Sequence, residues 1–420
     1  MNKLVVEWDK GISRVALVED GRLSEFYLEG PEEKERAGNV FKGRIVNVLP
    51  GMDAAFVDIG QSRNAFLYRD DLLPPHHDGT DGRKPGIEQL VRIGQDILVQ
   101  IKKEAQEGKG ARVTTRFTIP GRALVYMPDA DYTAVSRRIG SSEEKQRLKA
   151  VGDRLRRDGD GIILRTAAEG ISEDRLEREW GLLRNLWRTA LAKAKPLTAP
   201  CLVYRDLDLI PRLVRDLFTD RVDELVLDNA SLAQHIIALL RTMAPELASK
   251  IVIHREKRPL FEAYPIHREL EHALRRKIPL ASGGYLIFDK TEAMTVIDVN
   301  TGGFTGHADL EETVFRTNLE AAEEIPRLLR LRDSGGMILV DFIDMKLEEH
   351  RQAVKSKLEE SAKHDRGKLQ LLGWTRLGLF ELTRRKRRQG LETLFYEACS
   401  TCEGTGRIYI GRAEAAPSSS

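Results

Sequence analysis

The sequence predicts a multidomain α+β protein, and three observations carry that prediction. The chain has 420 residues, and at roughly 100 to 200 residues per domain that length calls for several compact units. Between Val40 and Arg116 the runs VFKGRIVNVL, DAAFVDIG, NAFLY and DILVQIKKE are short, strand-like and separated by Gly, Pro and Asp clusters, as in a small barrel. Beyond Ile278 the pattern becomes strand, strand, long helix, strand, helix, as in an α/β sandwich.

Composition removes several function classes. Hydrophobic residues make up 41% and charged residues 31%, enough for several cores under a densely ionic surface. Lys+Arg 67 against Asp+Glu 65 gives +2, so any basic site is local. No apolar run approaches the roughly 20 residues of a membrane span, and Glu7, Asp9 and Lys10 stand where a signal peptide needs its apolar segment, so a cytoplasmic protein is expected. Three cysteines are too few for a disulfide framework.

In chain order, the first 30 or so residues read as a β-hairpin around the Glu-Asp-Gly turn at 19–21. The barrel strands follow, interrupted by an aperiodic loop insertion over 73–89 that carries His76 and His77. Ser172 to Lys195 sets Leu176, Trp180, Leu183 and Trp187 at helical spacing, with Ser172 as N-cap and Pro196 as stop. The α/β segment comprises YLIFDK, AMTVIDVN, a helix over Glu311–Arg332, MILVDFIDM and a helix over Glu348–Lys363. Residues 411–420 read as a disordered tail.

The chemistry concentrates in that last segment. In TVIDVN the period of two places Asp298 and Asn300 on one face with Val296, while Ile297 and Val299 point into the other layer. A second apolar strand, Met337 to Val340, ends in Asp341, with Asp344 three residues on. Carboxylates at the ends of neighbouring apolar strands repel unless a cation lies between them, and hard oxygen ligands suit Mg²⁺. The alternative is pairing with an arginine such as Arg332, or helix capping. Gly302, Gly303 and Gly306 would let the backbone approach a ligand or a metal-bound phosphate, without the Lys of a P-loop.

Three further features point to a polyanionic partner or a metal. Alternation in the barrel turns Phe56 and Phe66 outward, where they could stack single-stranded bases with Lys109 and Arg112 near phosphates; packing under another domain is the alternative. Arg384 to Arg388 is the densest positive run, a phosphate track or a solvated helix end. Cys399 and Cys402 form half of a four-thiolate zinc site, so two chains contributing a knuckle each would give a zinc-linked homodimer, with a redox pair as the alternative and Cys201 a lone distant thiol.

The segments GRIVNVLPGMDAAFVDIG, TEAMTVIDVNTGGFTG, TNLEAAEEIPRLLRLRDSGGMILVDFIDM and CSTCEGTG, taken in this order and spacing, resemble the bacterial ribonuclease E/G family, its ribonuclease G branch in particular, from residue 1 to about 410. The resemblance implies an RNase H-like subdomain split over 1–35 and 209–274, an S1-like OB barrel over 36–116, a 5′ sensor over 117–208, a DNase I-like catalytic part over 275–396 and a zinc link over 397–410. Asp298 and Asp341 would then hold Mg²⁺, Asn300 would orient a carboxylate or the scissile phosphate, and Asp344 would support them. Arg165, Thr166 and Val125 would recognise a 5′-monophosphate, and Phe56, Phe66, Lys109 and Lys368 would contact RNA.

The implied activity is a Mg²⁺-dependent endoribonuclease cutting single-stranded, A/U-rich RNA to 5′-phosphate and 3′-hydroxyl ends, in ribosomal RNA processing and messenger RNA decay. Two departures stand out: Ser400 replaces the family's proline, and the family's small C-terminal domain is missing, so a dimer rather than a tetramer is expected. The rival readings are a non-catalytic RNA-binding scaffold and a DNA-cutting enzyme.

Overall fold

The computed structural model describes residues 1–30, 37–72, 85–105, 109–157, 159–302, 310–363, 365–388, 390–402, 404, 406 and 408. His76, His77, Gly303, Gly306 and the 411–420 tail lie outside them. The chain divides into two compact units, residues 1–15 with 27–255, and residues 16–26 with 256–420.

The chain opens with β1 (Lys3–Asp9), β2 (Ile12–Glu19) and β3 (Arg22–Glu29). Both connecting turns are two residues long with positive φ throughout, Lys10–Gly11 and Asp20–Gly21, the geometry that suits the twist of a hairpin. The Asp-Gly turn was legible in the sequence; the Lys-Gly turn was not.

Next comes the barrel: β4 (Val40–Leu49), β5 (Ala54–Asp58), β6 (Ala65–Tyr68), β7 (Asp96–Lys103) and β8 (Arg112–Thr114). Pairing runs β4-β5-β6-β8-β7 and returns from β7 to β4, closing a five-stranded OB-like barrel that leaves no free edge. Ile45, Ala55, Val57, Ala65, Leu67, Val99, Ile101 and Val113 fill it. Closure depends on Gly43, where a Cβ would come within 2.6 Å of the Val57 side chain and 2.8 Å of the Asp58 carbonyl.

A four-stranded sheet follows, from β9 (Ile119–Pro120), β10 (Leu124–Met127), β11 (Thr133–Val135) and β12 (Gly161–Leu164), ordered β11-β12-β10-β9. Helices Ser142–Leu155 and Glu173–Ala194 cover it through Leu148, Val151, Leu176, Trp180 and Trp187. Ser172 is the N-cap residue by position, but its side chain makes no capping bond; Glu173 and Asp174 supply negative charge to the first turn instead. Strand β13 (Cys201–Tyr204) pairs with β4, and β14 (Glu224–Leu227) and β15 (Ile251–Ile253) run parallel with β1 in the order β15-β14-β1-β2-β3. Residues 3–29 and 224–253 thus share one sheet, and the barrel and four-stranded sheet are inserted between its halves.

The second unit is built on β16 (Lys277–Pro279), β17 (Tyr285–Lys290), β18 (Met294–Asn300), β19 (Gly336–Asp341), β20 (Gln370–Trp374) and β21 (Phe380–Arg384), ordered β16-β17-β18-β19-β21-β20. One face of this sheet is dry: Ile278, Leu286, Phe288, Ile297, Val299, Ile338, Val340, Phe380 and Leu382 are buried. Helix Leu310–Arg332 lies against β18 and against helix Glu348–Ala362. No helix among the described residues is long and apolar enough to cross a membrane.

The basic run 384–388 needs correction. Arg384 is buried and bonds Asp365 at 2.6 Å and Asp333 at 2.7 Å, and the backbone N–H groups of Arg387 and Arg388 also donate to Asp333. The first member of the run is a structural tie, because a guanidinium that leaves water must be paired. It is not part of a phosphate track.

Candidate active site

Strands β18 and β19 are parallel neighbours in the register Met294↔Met337 through Asp298↔Asp341. The apolar core fixes that register, since a slip of one residue would drive Ile297 and Val340 out of the dry face. The two aspartates therefore sit side by side, on strands about 4.8 Å apart, where the sheet leaves the core.

Asn300 shares their face and donates from Nδ2 to Asp298 Oδ2 at 2.7 Å. The Asp341 carboxyl is pushed above the ordinary carboxylate range, by burial first, then by Asp298, then by Asp344. Like charges that close favour either a proton or a cation between them. Arg332, the alternative partner, is engaged elsewhere: it donates to the carbonyls of Ala273 and Arg275, pairs with Glu392 and lies over the Phe288 ring.

The donor set fits Mg²⁺, an ion that takes one or two protein carboxylates and completes its shell with water. Among the described residues no group of three His, Cys, Asp or Glu side chains is placed to hold a metal, so water or substrate oxygens would supply the remaining ligands. Gly302 has a φ of 67°, and packing by itself already holds the position to glycine. A Cβ there would collide with the Gly283 carbonyl and come within 3.4 Å of the Tyr285 ring, so the glycine lets two segments of the sheet edge meet.

What holds the loop after β19 is visible only in the fold. Asn318, fully buried on helix Leu310–Arg332, donates from Nδ2 to the Ile343 carbonyl at 2.8 Å and accepts from the Ile343 N–H at 3.1 Å. One amide thus clamps the peptide between Asp341 and Asp344. Glu311 accepts from the backbone N–H of Lys346 and lies 2.9 Å from His350 Nδ1, holding the same loop further on. Both are polar positions of one long helix, and such positions carry no sequence signal of this role.

On the barrel, Phe56 and Phe66 are cross-strand partners whose rings meet edge to face, centroids 5.3 Å apart. Tyr68 extends the row, 4.5 Å from Phe66, with the Arg112 guanidinium over its ring. Arg112 is held by Asp71, a buried carboxylate that also takes Lys102. Lys109 is exposed on the segment leading into β8. Lys368 is exposed in the turn before β20, at the Gly336 end of the neighbouring strands, and is not brought to the carboxylate pair.

Val125 and Arg165 come together because β10 and β12 pair through Val125↔Ile163 and Leu124↔Leu164. The Arg165 guanidinium donates to the Gly121 carbonyl and to Asp216 at 2.8 Å, and the exposed Thr166 hydroxyl lies 2.9 Å from Ser136. Asp216 and Ser136 are distant in sequence and were not anticipated. Cys399 is exposed, and its thiol is pushed below the ordinary value by the backbone N–H of Cys402, then by that of Thr401.

An α+β chain that joins an OB-like barrel with outward aromatics to an α/β unit with acidic strand ends has the parts of a nucleic-acid enzyme. Comparison with known proteins gives the class a family. The family model described as "Ribonuclease E/G family" matches residues 118–387. The chain is 40% identical to ribonuclease G of Escherichia coli K12 over 412 residues, covering 97% of this chain and 84% of that one. It is 41% identical to ribonuclease G of Haemophilus influenzae over 402 residues (94% and 82%), and 37% identical to ribonuclease E of E. coli K12 over 403 residues (94% and 38%). The chain belongs to the ribonuclease E/G family, and with it to the endoribonucleases.

Proposed function

We propose that this endoribonuclease is Mg²⁺-dependent, that Asp298 and Asp341 hold the ion with Asn300 fixing Asp298, and that it cuts single-stranded, A/U-rich RNA, ribosomal precursors and messengers included. The supporting observation is the in-register carboxylate pair with its pushed-up Asp341, which no arginine among the described residues neutralises. Mg²⁺ bound there would polarise the phosphoryl group and acidify the attacking water. The residues' part is geometric: the Asn300 amide holds one Asp298 oxygen, and the Asn318 clamp fixes the backbone beyond Asp341. In the hydrolysis a water oxygen bonds to phosphorus, the bond to the 3′ oxygen breaks, and the released proton passes to that oxygen, leaving 5′-phosphate and 3′-hydroxyl ends.

In this reading residues 1–35 and 209–274 form the RNase H-like part, 36–116 the S1-like barrel, 117–208 the 5′ sensor, 275–396 the DNase I-like part and 397–410 the zinc link. Phe56, Phe66 and Lys109 grip the RNA, and Lys368 meets it away from the carboxylates. Arg165, Thr166 and Val125 receive a 5′-monophosphate, which must share Arg165 with Asp216.

The test follows a 5′-monophosphorylated single-stranded RNA with Mg²⁺, and the same RNA with a 5′-hydroxyl. Asp341→Asn is expected to lower cleavage by roughly 10³-fold with binding retained, and the monophosphate to be cut faster. Wild-type protein that binds RNA without cutting it would favour the scaffold, and equal rates on matched DNA would overturn the substrate. For the shared zinc site, Cys399→Ser and Cys402→Ser should lose zinc and sediment as monomers. A zinc-free wild-type dimer would refute it.

A further inference from the structure

The open face of the second unit's sheet carries more than the carboxylate pair. Register partners on neighbouring strands point to the same side of a sheet. Lys277 is paired with Ile287, Ile287 with Asp298, and Asp298 with Asp341, so one row across four strands reads Lys, Ile, Asp, Asp. The next row reads Pro279, Tyr285, Asn300. Burial alternates in step on all four strands: Ile278, Leu286, Phe288, Ile297, Val299, Ile338 and Val340 face inward, while Lys277, Tyr285, Asp298, Asn300 and Asp341 remain accessible.

Lys277 is held in this row without neutralisation. Its ammonium lies 3.8 Å from the centroid of the Tyr285 ring, a cation–π contact that fixes position and leaves the charge free to act. Among the described residues no carboxylate comes within ion-pair distance of it. Its neighbour Arg276 is the opposite case, bonded to Asp289 through Nε at 2.5 Å and Nη2 at 2.8 Å. The Tyr285 ring is itself seated against Gly302, where only a glycine lets the two edges meet.

We infer that Lys277, positioned by the Tyr285 ring, is a substrate-backbone subsite that binds a phosphodiester flanking the scissile one. The inference deepens the proposed function and rests on it. Two strand spacings, roughly 10 Å, separate Lys277 from Asp298, a distance suited to a neighbouring phosphate rather than to the reacting one. Asp298, Asp341 and Asp344 repel a polyanion, and Lys277 supplies the compensating charge on the same face. Tyr285 is a positioning residue, since it acts through Lys277.

The experiment measures kcat and KM on a 5′-hydroxyl single-stranded RNA with Mg²⁺ at several salt concentrations, using the whole chain. Lys277→Gln is expected to raise KM about 5- to 10-fold, with the loss in KM rather than kcat. The slope of log(kcat/KM) against log[salt] should become shallower by about 0.7, the value of one phosphate contact on a single strand. Lys277→Arg should restore the slope, Tyr285→Leu should weaken it partway, and Arg276→Gln, removing a cation already paired, should leave it as in wild type.

Affinity for the same RNA in an Asp298→Asn background, with and without Lys277→Gln, repeats the comparison without chemistry. An active wild type whose KM, salt slope and background affinity ignore Lys277→Gln overturns the subsite alone. A wild type that does not cleave, or whose cleavage survives Asp341→Asn, overturns the reading on which it rests.

Discussion

Asp341 and Asp216 are the same side chain in opposite electrostatic company. Asp341 ends an apolar strand beside Asp298 and near Asp344, and its carboxyl is pushed up. Asp216 lies in the last turn of helix Leu209–Leu217, an unfavourable place for a negative charge. Burial pushes it up, but hydrogen bonds from Arg215 and the charge of Arg165 overcome that and hold it at about 2. One region carries a charge deficit that a bound cation can fill. The other has already filled its own, as structural ion pairs do. A carboxylate's surroundings, not its type, separate a candidate ligand from a fold-holding group.

If the first region is built to present carboxylates, its supports should matter to catalysis more than to folding. Asn318→Ala removes both hydrogen bonds to the Ile343 peptide, so the segment between Asp341 and Asp344 loses its clamp. The expected result is a fall in kcat of roughly 10²-fold, the scale of a small misplacement at a reacting centre. The Mg²⁺ concentration for half-maximal rate should rise as well, which simple loss of stability would not produce. Asn318→Asp keeps an acceptor for the Ile343 N–H and should recover part of kcat. An unchanged Mg²⁺ dependence would show that the clamp serves folding alone.

Which parts of these regions were visible in the sequence follows from the range of the interactions. The faces of β18, and Phe56 and Phe66 outward on the barrel, came from a period of two, a local rule obeyed wherever one face is buried. Helix Glu173–Ala194 came from its Leu and Trp spacing, although its Ser172 cap did not form as expected. What stayed hidden depends on register and on partners far along the chain. Lys277 and Asp341 enter one row only once four strands have paired. Asn318 meets Ile343 25 residues away, Arg165 meets Asp216 51 residues away, and Arg384 meets Asp333 51 residues away. A basic run on a surface and a basic residue tying down a core look alike until the fold supplies the carboxylate.

The second region should fail in the opposite way, through stability. Asp216 has a folded pKa of about 2 against roughly 3.9 for an unfolded aspartate. Its ionised form therefore stabilises the fold at neutral pH by roughly 2 to 3 kcal/mol, and that contribution is lost as pH falls from about 5 through 2. Asp216→Asn should lower the urea midpoint at pH 7 and flatten the acid limb of the stability profile, because the group that titrates there is gone. Asp341 carries the opposite sign: a raised pKa means that ionisation opposes folding, so without Mg²⁺ Asp341→Asn should leave the midpoint unchanged or raise it. Urea titrations of both variants at pH 7 and pH 3 decide the matter. Equal destabilisation by the two substitutions would show that Asp341 is a structural carboxylate after all, and the like-charge reading of the strand ends would fall with it.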